Sequence, residues 1–186
     1  MKPFKNVAIA ALFSLTSLSA LADTITNFGS VTLPSSLSYN NSFASASTGT
    51  TFFDDYIFTI PNGVANSVTS SINLDSILGL TNIRARLYAG STHDVSSAVP
   101  DLISNWGTTV NYSSTVGVTT VVLNPISLLA GTYTLQIKGS VAGTAGGSYG
   151  GVLNIAHPVP EPETYALLLA GLGLITVVSS RKNSKA

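Results

Sequence analysis

The stretch Gly131-Thr132-Tyr133-Thr134-Leu135-Gln136-Ile137-Lys138-Gly139 decides the fold. Tyr133, Leu135 and Ile137 alternate with Thr134, Gln136 and Lys138, so one face is apolar and the other wet, as a half-buried antiparallel strand demands. Ile83, Ala85 and Leu87 against Arg84 and Arg86 repeat the pattern. Working outward, segments rich in Val, Ile, Thr, Tyr and Phe lie at 24–32, 38–46, 51–60, 66–74, 82–89, 107–112, 118–123, 132–139 and 151–155, divided by Gly, Pro, Asn and Ser. Only 75–80 offers a helical turn. This pattern predicts an all-β body, a single antiparallel β-sandwich that is jelly-roll-like. The Gly-rich segment 139–151 is expected as a flexible hairpin loop, because a phosphate-cradling loop would need a helix after it.

Two targeting segments flank the body. Lys2 and Lys5, the apolar run 7–13, a Ser-rich stretch and Ala20-Leu21-Ala22 have the form of a signal peptide over 1–22. Ala20 and Ala22 supply the small-x-small site of signal peptidase. The domain 23–156 follows, then a Pro-rich linker 157–164 with Pro160, Glu161 and Pro162, an apolar segment 165–180 and a tail 181–186. As a helix, the run 165–178 covers about 21 Å, short of a hydrocarbon core of about 30 Å. Thr176 is its only polar residue after Tyr165, so the amphipathic stripe of a surface helix is missing. Arg181, Lys182 and Lys185 form a stop-transfer pattern that keeps the C-terminus cytoplasmic. The sequence thus predicts a transmembrane helix over 165–180 and a body exported through the inner membrane. A linker partly in polyproline II holds that body within about 25 Å of the membrane.

The charge count excludes several functions. The whole chain is balanced, with Lys+Arg 8 and Asp+Glu 8. Between the two targeting segments, however, Asp23, Asp54, Asp55, Asp75, Asp94 and Asp101 face only Arg84, Arg86 and Lys138. No basic patch for nucleic acid is visible in that list. Cysteine is absent, which removes both disulfides and thiol chemistry. Glu161 and Glu163 are the only glutamates, and His93 and His157 the only histidines. A paired-carboxylate hydrolase would need aspartates alone, and a Ser-His-Asp site would hang on His93, for which the adjacent Asp94 is a poor partner. The expectation is a protein without catalytic residues.

Asp54 carries the tension in the body. In a regular strand it shares a face with Phe52, Tyr56 and Phe58, a carboxylate among aromatics. Left unpaired there it would be costly, so it is expected to accept hydrogen bonds from backbone amides or from Arg84 or Arg86. The alternation turns Asp55 outward. The alternative is a Ca2+ site on Asp54, Asp55 and neighbouring carbonyls, since calcium takes six to eight oxygens. Trp106 with Tyr112 is read as core or as a sugar-stacking platform.

The C-terminal 28 residues resemble the PEP-CTERM sorting signal, with Val159-Pro160-Glu161-Pro162-Glu163-Thr164 as its opening. Phe52, Asp54 and Tyr56 fit the F-x-D-x-Y signature of one group of proteins with such tails. The resemblance implies processing by exosortase and a surface or exopolysaccharide-matrix destination in a Gram-negative bacterium, and it carries over no catalytic residue. Asp54, Tyr56 and Phe58, then Arg84, Arg86, Leu87 and Tyr88, then Ala130 to Leu135 are also similar to the bacterial pre-peptidase C-terminal β-sandwich, a likeness of fold only. The function expected is that of an exported non-enzymatic surface or matrix protein, held transiently in the membrane. A carbohydrate-binding module is the alternative, and a secreted hydrolase the next. Contact with polysaccharide is expected through hydrogen bonds rather than Coulomb forces, hence nearly independent of salt.

Overall fold

The computed structural model describes residues 23–96, 99–107, 109–111, 116–158 and 162–183. Their strands form two five-stranded sheets. Sheet A runs β1 (Ile25–Ser30), β3 (Thr51–Ile60), β9 (Gly131–Val141), β5 (Leu80–Ala89) and β6 (Leu102–Ser104). Sheet B runs β2 (Ser35–Phe43), β10 (Gly147–Ala156), β4 (Gly63–Leu74), β8 (Val116–Leu128) and β7 (Thr109–Asn111). The body is β-sandwich-like, as the alternation predicts.

The decisive stretch lies at the centre of sheet A. Tyr133, Leu135 and Ile137 of β9 stand opposite Phe58, Tyr56 and Asp54 of β3 on one side, and Ala89, Leu87 and Ala85 of β5 on the other. These inward faces meet Tyr39, Leu123, Tyr149 and Leu153 of sheet B in one core. Phe43 stacks on Phe52 at 4.3 Å between ring centroids, and Phe52 lies nearly parallel to Tyr149 at 5.6 Å. Offset aromatic pairs of this kind add about 0.5–1.5 kcal/mol beyond the area they bury.

The structure corrects several expectations. The sandwich is not wholly antiparallel: β1 pairs with β3 in parallel, Ile25 opposite Asp55 and Ser30 opposite Thr59. Between them the chain passes through β2 in the other sheet, the crossover that a parallel neighbour requires. The three-residue β6 was not foreseen, because Leu102–Ser104 is too short to show alternation. The turn at 75–80 is not helical: Asp75 sits at φ 50° and Leu74 pairs with Leu78 as an isolated bridge. The segment 139–151 is mostly strand, since β9 continues to Val141 and β10 begins at Gly147. Its glycines allow close packing rather than flexibility. A Cβ on Gly151 would come within 2.4 Å of the Tyr39 ring, and Gly146, at φ 97°, has Phe43 O where a Cβ would sit.

Beyond the sandwich stands α1 (Pro162–Asn183), a 22-residue helix. It opens on a proline, whose fixed φ suits a first helical position, so the extended linker is shorter than 157–164. Among the described residues no helix is long and apolar enough to cross a membrane. Side chains of α1 are described over 166–176, about 16 Å of helix, and there every residue is exposed, including Leu167, Leu169, Leu172, Leu174 and Ile175.

Candidate functional site

Phe52, Asp54, Tyr56 and Phe58 alternate inward along β3 and are buried, as the two-residue period predicts. Burial of Asp54 is opposed by hydrogen donors from three places in the chain, the residue before β1, β2 and β10. Thr24 N donates to Oδ1 at 2.8 Å, Asn41 Nδ2 to Oδ2 at 2.9 Å, and Tyr149 OH to Oδ2 at 2.5 Å. The Tyr149 and Tyr56 hydroxyls are 2.8 Å apart, so a chain of phenols continues from the carboxylate into the core. Of the two partners expected, backbone amides or an arginine, the structure has the amide of Thr24, and Asn41 and Tyr149 join it from positions whose separation in sequence hides them. Burial outweighs these donors and raises the Asp54 pKa above its ordinary 3.8. Burial, followed by the Asp54 charge, also pushes the Tyr149 phenol far up.

Asp55 is not turned to solvent. It is fully buried on the outer face of sheet A, because residues 90–96 roof that face, with Trp106 beside them over Arg86. His93 Nδ1 lies 2.7 Å from Asp55 Oδ2, Gln136 Nε2 donates to Oδ1 at 2.7 Å, and Tyr88 OH donates to Oδ2 at 3.3 Å. Burial, followed by the neighbouring Asp55 charge, pushes the Tyr88 phenol up to about 12. Arg86, also buried, donates from Nε to Gln136 at 2.8 Å and from its terminal nitrogens to Ser96 O at 2.9 Å and Asp94 O at 2.6 Å. These bonds pin the roof. Asp23 Oδ1 accepts from Phe53 N at 2.7 Å, and its Oδ2 lies 3.6 Å from His93 Nε2.

The two adjacent aspartates therefore point to opposite faces of β3 and do not converge on a cation. The oxygens of Asp54 face hydrogen-bearing donors, not carbonyls, so the Ca2+ arrangement is not formed. Among the described residues no group of three or more His, Asp or Glu is placed to hold a metal. His93 pairs with Asp55 rather than with the adjacent Asp94, and the two described surface cavities are lined by other residues. Trp106 is half-buried, with the Arg86 guanidinium 4.3 Å and the Lys138 ammonium 4.0 Å from its ring centroid. Arg86 and Lys138 thus engage the ring proposed for sugar stacking; Tyr112 lies outside the described residues.

The targeting residues are only partly visible. Ala20, Ala22, Pro160, Glu161 and Lys185 lie outside the described residues, Pro162 opens α1, and Arg181 and Lys182 fall in its last turn. Residues 158–182 match the PEP-CTERM protein-sorting motif. That motif implies export and processing by exosortase. No curated protein matches the chain. Among solved structures, the chain is similar to the pre-peptidase C-terminal domain of a collagenase from Bacillus anthracis, at 16% identity and TM-score 0.35, over 70% of this chain and 95% of that one. It is also similar to Aeromonas hydrophila PliG, a periplasmic lysozyme inhibitor of g-type lysozyme, at 16% identity and TM-score 0.34, over 72% and 99%. At such TM-scores the fold assignment rests on the two sheets themselves.

Proposed function

We propose that this chain is an exported, non-enzymatic protein of the F-x-D-x-Y type, anchored for a time in the inner membrane by its tail. Signal peptidase removes 1–22, exosortase acts near Pro160, Glu161 and Pro162, and the sandwich passes to the surface or exopolysaccharide matrix of a Gram-negative cell. The sorting motif at 158–182 is the observation that carries this reading. The exposed helix supports it: an α1 that is apolar on every described side has no aqueous environment in which it is comfortable, and lipid provides one. The Phe52, Asp54 and Tyr56 signature fits a structural role, since all are spent on the core. In sheet B the order β2, β10, β4, β8, and in sheet A the order β3, β9, β5, β6, with the chain changing sheets at every step except β5 to β6 and β7 to β8, supports a jelly-roll reading of the body.

The mass of the protein recovered from wild-type cells and from cells lacking exosortase tests this reading. Wild type is expected to lose both ends, and the mutant strain to retain the C-terminal segment on a membrane-bound form. Equal masses in the two strains would overturn it.

A further inference from the structure

Arg84, Arg86 and Lys138 are the only Lys or Arg residues between 23 and 158, and the fold gathers all three on the outer face of sheet A. Arg86 is consumed by the roof. The other two stand directly opposite each other, Arg84 on β5 and Lys138 on β9, with Phe53 of β3 next in the same row. They line a surface cavity of about 360 Å³ with Thr51, Phe53, Asn82 and Ser140. Like charges directly opposite in a sheet are destabilising, and the face of Trp106, 4.0 Å from the Lys138 ammonium, relieves that charge without neutralising it. Among the described residues the ion pairs are those of His93 with Asp23 and Asp55, and neither Arg84 nor Lys138 has a carboxylate partner. Partial burial, then the charges of Arg84 and Arg86, lower the Lys138 pKa.

We propose that this cavity binds the carboxylate of an acidic saccharide between Arg84 and Lys138. A planar guanidinium and an adjacent ammonium supply charge-assisted donors for a carboxylate. Around them, the hydroxyls of Thr51 and Ser140, 3.2 Å apart, and the amide of Asn82 match sugar hydroxyls, while Phe53 offers an apolar wall. Asn82 joins the lining because the β5–β9 ladder shifts register between Thr81 and Arg84, with Asn82 at φ 54°. Such bulges re-aim side chains. The volume lies in the range of small-molecule sites, about 300–1,000 Å³. The choice of a saccharide over another anion rests on the matrix reading above. It adds a Coulombic, salt-sensitive contact to the hydrogen bonding expected from the sequence.

Calorimetric titration of the full chain in detergent with trigalacturonate, and with neutral maltotriose, tests the site. Trigalacturonate is expected to bind at about 0.01 M salt and to weaken strongly at about 1 M, as the screening length falls from about 30 to 3 Å. Arg84→Gln and Lys138→Gln should each weaken binding about tenfold, the loss of one charge-assisted hydrogen bond, and Arg84→Lys should retain most of it. The melting temperature of Arg84→Gln should hold or rise, because a like-charge pair is removed, whereas Lys138→Gln also gives up its contact with Trp106. Equal affinity for the two sugars, or wild-type affinity in the double Gln variant, overturns the site. Co-sedimentation with the producing cell's exopolysaccharide separates this site from the wider reading. Retention that survives the double substitution would sink the site and leave the matrix role, whereas trigalacturonate binding without matrix retention would support the site and sink the role.

Discussion

At Asp54 three hydrogen donors oppose the cost of burial and lose, so the carboxyl is held above its ordinary 3.8. A folded-state pKa raised above the unfolded one means the native state holds the proton more tightly. Asp54 therefore costs stability above its folded pKa, and the cost is relieved as pH falls through that value toward 3.8. Wild type minus Asp54→Asn, followed by denaturant melts across this window, should show the wild type gaining on the variant as the medium is acidified; parallel pH profiles would refute it. Asp54→Ala at neutral pH should lose about 1–3 kcal/mol, the scale of a buried hydrogen-bond partner left unmatched. Asp55→Ala should lose as much, contrary to the sequence reading, because Gln136, Tyr88 and His93 all depend on it. Chelator should leave both melting points unchanged, and a sharp fall would reveal a cation. The inward row of Phe52, Asp54, Tyr56 and Phe58 was legible because the period of a strand is local. Asn41 and Tyr149 were not, since nothing in the sequence brings β2 and β10 to β3.

Among the elements, β5 and β9 could be read directly because polar and apolar residues alternate along each over several positions. The failures have physical causes of their own. β1 was placed as a strand, but its parallel partner is a long-range choice made by the crossing through β2. The roof at 90–96 is not legible because its bonds to Arg86 and Gln136 are accepted by backbone carbonyls, and carbonyls leave no trace in a sequence. This roof is why Arg86 and Gln136, polar residues on the expected wet faces, are fully buried. Arg86 should be its main fastening. Arg86→Lys keeps the charge and loses the fork that reaches Gln136, Ser96 and Asp94 together. Hydrogen exchange and proteolysis around 91–96 should accelerate, with about 1.5–3 kcal/mol lost from the fold, the scale of bonds to a charged group. Unchanged protection there would show that Trp106 and the strand ends hold the segment without it.

For the whole molecule, the two ends and the body place opposite demands on the solvent. The sandwich buries its aromatics and needs water, whereas the described side chains of α1 are exposed and apolar on every side. One chain can satisfy both only at a boundary between water and lipid, and 158–182 is where the sorting motif lies. On the proposed reading the apolar run is shorter than a comfortable span, and the basic residues after it would carry much of the burden of fixing its position. Removing 181–186 should therefore misplace the motif relative to the membrane face even though every residue of Pro160, Glu161 and Pro162 remains. Glu161→Ala should leave the placement intact and remove the motif's charge. Both variants should accumulate as unprocessed, membrane-bound chains, with the folded body unchanged in its melting temperature. Immunoblots of membrane and medium fractions would decide between the two roles of the tail. Accumulation of both variants identifies it as a processed address, and normal maturation and release of both would reduce it to an anchor alone.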